Sequence, residues 1–559
     1  MQKISVIWAK SRGYWDMAML EALFANRWRP VCAYEFQHFM SFEEVPADID
    51  GSVVVLPARH CLEYYDTLNT ELARFAWVLL IAIGDEESLF DTDRVHHPNM
   101  KVWRQLPKSG VHDKADRFLI NGYATDTEES LARYDTNVLK KPLDWCFLGQ
   151  VTHVRREECV KQLRTMSNGY LLETAGFTKG HPHAEYFHYM ANSKIVPCPS
   201  GARMPDSFRV AEALEAGAIP IVDAKSPIGS YPNNYWEYVF GGTHPLPVIY
   251  DWSTLPTLIP KLVAEWPENS NRIQTWWMNY KRQLAYALRD DIDTLRGETN
   301  MPETIDDKIT VLMPTSAIPS HPDTYKIDQC IAGIRHHLPT AEIIIMCDGC
   351  RPSVEHRRTQ YEEYKQRLCW KAQHDPAWKN IVVDIFTQGG ENHPCQSGMV
   401  RSVLQRGLVK TPLIFFAEHD APMTTEPDRP IDWGRIVKVL EFGLAKIVRF
   451  YYHTALIPEH SYLFYGSFRL NNEGPEFVRT TQYSGWPHVT TTKNMQELID
   501  KYSPFRGKDT VLETCLYSPI SDSLWDVFKV VIYADGENIS RFAHTNGRGE
   551  AEQRDAVDW

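Results

Sequence analysis

The chain has 559 residues, 43% of them hydrophobic and 23% charged. That is enough for three or four folding units at about 150 residues each, and it excludes a disordered or fibrous chain. Fifty-nine basic against 72 acidic side chains leave a formal net charge of -13, which argues against a dedicated nucleic-acid coat, because covering phosphates over a large surface needs a basic domain. Strand-like runs alternate with helical stretches, the pattern of layered α/β domains. The opening Met-Gln-Lys-Ile-Ser-Val-Ile-Trp reads as a first strand, not a signal peptide. Strands are expected at Ile4–Trp8, Val53–Pro57, Trp77–Ile83 and Lys101–Gln105, with helices over Trp15–Asn26 and Glu63–Phe75. These pieces predict a small doubly wound domain over residues 1–142. The longest apolar run, Phe75 to Ile83, is too short to span a bilayer, so no transmembrane segment is expected.

A second unit is expected over 143–297. Its strands are Asp144–Leu148, Ile195–Pro197 and Ile219–Asp223, its helices Arg155–Ser167, Ser207–Ala216 and the long amphipathic Asn271–Leu295. Thr299–Asp307, with Pro302 and several acids, is the linker candidate. A third unit over 306–559 then starts with strands Ile309–Met313, Glu342–Cys347, Val382–Phe386 and Pro412–Ala417, and helices Lys326–His336 and Ser397–Val409. Eleven cysteines with no repeated spacing fit reduced thiols and a cytoplasmic location. Cys347-Asp-Gly-Cys350 has metal-ligand spacing, yet no second pair completes a zinc site.

Strand ends are where open α/β sheets place ligands. After Phe147-Leu148-Gly149-Gln150, Arg155 and Arg156 stand at a helix start, where arginines and helix amides can take a diphosphate. In the helix that follows Cys198-Pro199-Ser200-Gly201, Arg209 and Glu212 lie three apart on one face, so the carboxylate can hold two ribose hydroxyls. An intrahelical Arg209–Glu212 ion pair is the plainer alternative. The stretch Phe147–Arg156, then Ser193-Lys194, Cys198-Pro199, Ser207-Phe208-Arg209, Glu212-Ala213-Leu214 and Gly217-Ala218-Ile219-Pro220, resembles the nucleotide-sugar half of an exostosin-type glycosyltransferase. The resemblance implies a GT-B fold, two facing Rossmann-like domains. It implies donor binding by Arg155, Arg156, Ser207, Arg209 and Glu212, with His181, His183 and Glu185 as weaker candidates.

The later strands also end in small or acidic residues: Pro314-Thr315, Asp348-Gly349 and Glu418-His419-Asp420. Two carboxylates two apart at a strand terminus can reach one hard divalent cation, Mn2+ or Mg2+. This series resembles a GT-A glycosyltransferase, with Glu418-His419-Asp420 in the place of its Asp-x-Asp motif. On that resemblance Pro314, Thr315 and Asp348 cradle the nucleotide, and His544 is a third metal ligand. Gly507-Lys508-Asp509-Thr510-Val511-Leu512-Glu513 resembles the acidic helix start that carries the general base, Asp509 first and Glu513 second. Tyr483 and Trp486 in Tyr-Ser-Gly-Trp-Pro-His are the acceptor-stacking candidates, with loop packing the alternative.

The expected fold is therefore α/β: a GT-B-like pair of Rossmann-like domains followed by a GT-A-like domain. The expected activity is transfer of a sugar from a nucleotide-sugar, a UDP-sugar first, to a hydroxyl acceptor. That acceptor is either a growing surface glycan or a hydroxylated base of phage DNA. A carbohydrate- or nucleotide-binding scaffold with one or both modules inactive is the competing class. An epimerase is disfavoured, because Ala9–Tyr14 contains Gly13 alone and no dinucleotide glycine fingerprint.

Overall fold

Continuous apolar runs become the central strands of parallel sheets, because such strands are covered on both faces. The computed structural model describes residues 2–9, 17–25, 27–28, 34–57, 64–87, 89–107, 115–124, 127, 130, 141–176, 179–230, 235–297, 304–386, 396–425, 430–451, 458–503, 512–523, 525–534 and 540–543. The chain divides into two compact units, Met1–Met301 and Pro302–Trp559. Both are mixed α/β, as the alternation of strands and helices predicts.

The first unit holds two parallel sheets. One contains β1 (Gln2–Trp8), β2 (Tyr34–Phe39), β3 (Gly51–Pro57), β4 (Trp77–Ile83), β5 (Met100–Gln105) and β6 (Arg117–Leu119), in the order β2-β1-β3-β4-β5-β6. Strand alternation sends Val53, Val55, Leu79 and Ile81 to one core, and Val54, Leu56, Val78 and Leu80 to another. The other sheet contains β7 (Leu143–Gln150), β8 (Gly169–Thr174), β9 (Ser193–Cys198) and β10 (Ile219–Asp223). A short hairpin of β11 (Lys225–Ser226) and β12 (Gly229–Ser230) precedes its edge strand β13 (Val248–Ile249), giving the order β13-β10-β9-β7-β8.

The helix Trp266–Arg296 runs along both sheets and ends at Gly297, whose φ of 68° is the left-handed C-cap geometry. Near its end, Asp291 accepts from Lys101 Nζ at 2.5 Å and Trp103 Nε1 at 2.8 Å. Ten residues earlier, Lys281 Nζ lies 2.7 Å from Glu215 Oε1, a buried pair that also takes Trp277 Nε1 at 3.0 Å.

The second unit is built on one nine-stranded sheet. Its strands are β14 (Ile309–Thr315), β15 (Glu342–Cys347), β16 (Ile381–Ile385), β17 (Leu413–Phe416), β18 (Ile447–Arg449), β19 (Phe464–Arg469), β20 (Glu476–Thr480), β21 (His488–Thr491) and β22 (Val530–Ala534). The order is β16-β15-β14-β17-β21-β18-β22-β20-β19. The first four are parallel; β21 then runs antiparallel between β17 and β18. Met399, Val400 and Val403 of the helix Gln396–Gln405, with Leu512 and Leu516 of the helix Leu512–Ser521, cover one face.

Several elements differ from expectation. The strands β2, β6, β8, β11 to β13 and β18 to β22 are additional to the expected set, as are several helices, among them His183–Ala191, Arg358–His374, Trp433–Glu441 and Thr492–Tyr502. β2 and β8 are edge strands with partly exposed residues, and the 17-residue helix carries its buried side chains, such as Tyr361, Lys365 and Leu368, among many charges. Among the described residues no helix is long and apolar enough to cross a membrane. The eight described cysteines are free, and Cys347 and Cys350 are buried.

Two strand pairs share one packing device. Gly51 faces Trp77 across β3–β4, and Gly169 faces Trp145 across β7–β8. A Cβ at Gly51 would lie 2.2 Å from the Trp77 indole, and one at Gly169 would lie 2.0 Å from that of Trp145. Each glycine is thus the seat of an indole. Gly51→Ala and Gly169→Ala are each expected to destabilise the first unit by about 1–3 kcal/mol, the usual cost of overpacking, read as a lower denaturation midpoint in urea.

Candidate functional site

In the first unit the predicted residues gather at the C-terminal ends of β7, β9 and β10, and the structure separates their roles. Arg155 turns inward. Its Nε and Nη2 meet the two oxygens of Asp223 at 3.0 and 2.5 Å, and Nη1 meets Glu158 at 2.9 Å. Asp223 is fully buried and also accepts from Trp252 Nε1 at 3.0 Å. The expectation that Arg155 faces a diphosphate is corrected accordingly: its guanidinium neutralises a buried carboxylate.

Arg156, the next residue, points the other way along the strand ends. Its Nε donates to Ser200 O at 3.2 Å and its Nη1 to Gln150 O at 3.1 Å. Burial, with Arg209 close by, lowers its pKa to about 10, and burial with Arg156 nearby pushes the His153 imidazole down to about 4. Arg209 lies over the Phe147 ring at 4.6 Å and donates Nη2 to Leu148 O at 2.8 Å. Its Nε and Nη1 are buried with no hydrogen-bond partner among the described residues, as are Ser200 Oγ and Ser207 Oγ. Leaving charged donors unpaired in the interior costs more than about 1–3 kcal/mol, and such a set of donors suits an anion. Gly149 gives Arg209 its room, since a Cβ there would lie 2.4 Å from Nη2.

Glu212 is 3% exposed and held elsewhere. Tyr186 Oη donates to its Oε2 at 2.7 Å, Ala124 N to its Oε1 at 3.4 Å, and His183 Nε2 is 3.6 Å from Oε1. The alternative intrahelical pair with Arg209 is not formed among the described residues; the carboxylate is held by Tyr186 and Ala124 instead. Each Glu212 oxygen has a protein donor. His181 pairs with Glu185 at 3.0 Å and stacks with Tyr170 and Tyr189, beside the edge strand β8.

In the second unit, β14, β15 and β17 end together. Thr315 O accepts from Tyr361 Oη at 3.0 Å, and the same hydroxyl donates to Asp348 Oδ1 at 3.1 Å. Pro314 O accepts from His419 Nδ1 at 3.1 Å, which ties the Glu418-His419-Asp420 turn to the end of β14. Glu418 Oε1 accepts from Gln396 Nε2 at 3.3 Å. Gly485 also borders the acidic turn: its Cβ position would be 3.4 Å from Glu418 Oε1 and 3.7 Å from Glu513 Oε2. Glu513, in the first turn of Leu512–Ser521, is exposed. Arg449 is 1% exposed and donates to Gln482 O at 2.5 Å, and burial lowers its pKa to about 10.

Tyr483 is 1% exposed and packs in the core with Leu512 and Leu516. Its ring offers no face to an acceptor, and burial pushes its hydroxyl pKa up. Trp486 is half-buried and meets Phe542 edge-on at 5.5 Å. Asp509 and His544 lie outside the described residues. Among the described residues no three His, Cys, Asp or Glu side chains are gathered so as to hold a metal ion. Glu418 and Asp420 supply two oxygen donors at one strand end, a set that suits a hard cation completed by water and ligand oxygens. Gly149, Ser200, Gln396 and Gly485 were not singled out from the sequence. Gly149 alone carried a signal, as a glycine closing an apolar strand just before two arginines.

No protein-family model matches the chain, and no curated protein is significantly similar to it. Among solved structures, S. aureus TarS aligns with 43% of this chain and 36% of its own, at 10% identity and a TM-score of 0.26. The mannosyltransferase PcManGT from Pyrobaculum calidifontis, solved with GDP-Man and Mn2+, aligns with 41% of this chain and 56% of its own, at 12% identity and a TM-score of 0.24. Glucosyl-3-phosphoglycerate synthase from Mycobacterium tuberculosis, solved with Mn2+ and UDP-Glc, aligns with 46% of this chain and 79% of its own, at 14% identity and a TM-score of 0.25. The chain thus covers less than two thirds of TarS and of PcManGT, and each likeness is confined to under half of this chain.

The anion cluster makes its own prediction. Inorganic pyrophosphate is expected to bind the intact chain, and Arg209→Lys to weaken that binding at least about tenfold, or 1.4 kcal/mol, by isothermal titration calorimetry. Gly149→Ala is expected to weaken it as well, by displacing the guanidinium.

Proposed function

We propose that this chain is a glycosyltransferase that moves a sugar from a nucleotide-sugar, a UDP-sugar first, to a hydroxyl acceptor. The first unit is read as GT-B-like and the second as GT-A-like. The observation that carries the reading is the approach of Glu418 and Glu513, 95 positions apart in sequence, to the one Cβ position of Gly485. Displacement at an anomeric carbon needs a group that takes up leaving-group charge and a base for the incoming hydroxyl, and these must lie within one site.

In the second unit Glu418 and Asp420 would hold Mn2+ or Mg2+, with His544 as a third ligand. Bound there, the cation supplies electrostatic stabilisation of the departing diphosphate. Glu513, or Asp509 just before it, accepts the proton of the acceptor hydroxyl. Pro314, Thr315 and Asp348 border the nucleotide, with Asp348 oriented by Tyr361. Trp486 is the remaining aromatic candidate for the acceptor. In the first unit Arg156, Arg209, Ser200 and Ser207 take the donor diphosphate, and no cation is needed where two guanidinium groups meet it. A hydroxyl of a growing glycan is the acceptor that the acidic balance favours over DNA.

Release of nucleoside diphosphate from UDP-glucose, UDP-N-acetylglucosamine and GDP-mannose, with Mn2+ or with EDTA, tests the reading. Release by the second unit is expected to need the cation and to vanish in Asp420→Asn. Glu513→Gln is expected to lower turnover about 10²- to 10⁴-fold, and full activity in that variant with loss in Asp509→Asn would move the base to Asp509. Gly485→Ala adds a methyl at ordinary contact distance from both acids, so its melting temperature should hold while turnover falls. Failure of every donor to bind would sink the proposal.

A further inference from the structure

Resting on that reading of the first unit, we propose that Glu86 is its general base, presented from the first sheet to the anion cluster of the second. Glu86 follows β4, the fully buried strand Trp77–Ile83, at the C-terminal edge of the first parallel sheet. It is exposed, and it makes no hydrogen bond or ion pair with another described residue. Its immediate neighbour is the opposite. Asp85 is 2% exposed, accepts from Leu89 N and Phe90 N at 2.9 Å each, and pairs with the buried Arg104 at 2.8 Å. Arg104 in turn donates to Phe90 O at 2.9 Å. The loop that carries Glu86 is therefore fastened on both sides of it.

A buried relay of hydrogen bonds places this loop opposite the second sheet. Gly84 N donates to Gln105 Oε1 at 3.2 Å, Gln105 Nε2 donates to Asn121 O at 3.3 Å, and Asn121 N donates to Asp206 Oδ2 at 2.7 Å. Asp206 immediately precedes Ser207, the N-cap of the helix that bears Arg209. Three further residues on, Ala124 N reaches Glu212 of that helix. The C-terminal ends of β4, β5 and β6 are thereby joined to the start of the helix that bears Ser207 and Arg209, both with unpaired donors. The charge of Glu86 also acts on the Arg156 guanidinium.

In the reaction this geometry serves, the acceptor oxygen forms its bond to the anomeric carbon as the bond from that carbon to the diphosphate oxygen breaks. The electron pair leaves on the nucleoside diphosphate, whose charge Arg156 and Arg209 meet, and the acceptor's proton passes to Glu86. A single displacement of this kind inverts the anomeric configuration.

The test uses the full chain carrying Asp420→Asn, so that turnover comes from the first unit, with water as acceptor and the same three nucleotide-sugars as probes. Adding Glu86→Gln should lower nucleoside diphosphate release about 10²- to 10⁴-fold and leave donor binding, by calorimetry, within about twofold of its parent. Glu87→Gln serves as the neighbouring control and should match the parent. The sugar first released, read by NMR, should have the configuration opposite to that of the donor. Undiminished release in Glu86→Gln, or a retained configuration, overturns the assignment while the transferase reading stands. Loss of donor binding in step with turnover makes Glu86 a donor contact and overturns the base role. A parent chain that binds donor yet releases nothing overturns the proposal for the first unit alone, and one that binds no donor in either unit overturns the transferase reading with it.

Discussion

The guanidinium of Arg209 is buried against Phe147 with one hydrogen bond to Leu148 O, and the surrounding residues keep other partners away from it. Glu212, one helical turn on, would neutralise it in an isolated helix. Tyr186 and Ala124 hold that carboxylate instead. Asp223, the other buried acid at these strand ends, is taken by Arg155. Two acids are thus satisfied without Arg209, and a positive charge remains at the edge of the sheet with donors unmatched. A buried charge in that condition lowers fold stability, a cost that an anion would offset on the proposed reading. The position of Gly149 follows from the same constraint, since a Cβ there would lie 2.4 Å from Nη2.

On the proposed reading, the two units would meet a diphosphate with opposite charges. In the first, guanidinium and hydroxyl donors stand at the parallel strand ends. In the second, strand ends present carboxylates, which can engage an anion only through a cation. Both arrangements follow from parallel topology, which sends successive loops to one edge of the sheet. The histidine between the two acids of the second site bonds to Pro314 O, so the acidic turn is held to the central strand beside it and not left to swing with its loop.

The long parallel strands covered on both faces were legible as uninterrupted apolar runs, whereas the short buried strands Ile447–Arg449, His488–Thr491 and Val530–Ala534 were not. Trp77–Ile83 and Glu342–Cys347 have the expected bounds to the residue. Edge strands escaped notice, because half-exposed positions in Tyr34–Phe39 and Gly169–Thr174 dilute the apolar pattern. At the site, residue types were legible and directions were not. Arg155 and Arg156 are adjacent and chemically identical, and only Asp223, 67 residues beyond Arg156, decides which of them turns inward. Tyr483 shows the converse: an aromatic in a glycine-containing loop reads as a stacking platform, yet its loop dips into the core. Glu86 had no signature at all, being one acid among many. Its interest arises from the hydrogen bonds that carry β4 toward Asp206.

The helix Trp266–Arg296 spans 31 residues, about 46 Å at 1.5 Å per residue. Its anchors fall into two groups: Gln274, Trp277 and Lys281 toward the second sheet, and Asp291 toward the first. It therefore acts as an axle. Sheets pinned at separate stations on one rigid rod cannot draw straight apart, so relative motion with the anchors intact is confined to rolling about the rod or bending it between Lys281 and Asp291. Such a roll changes the angle between the facing strand ends far more than their separation.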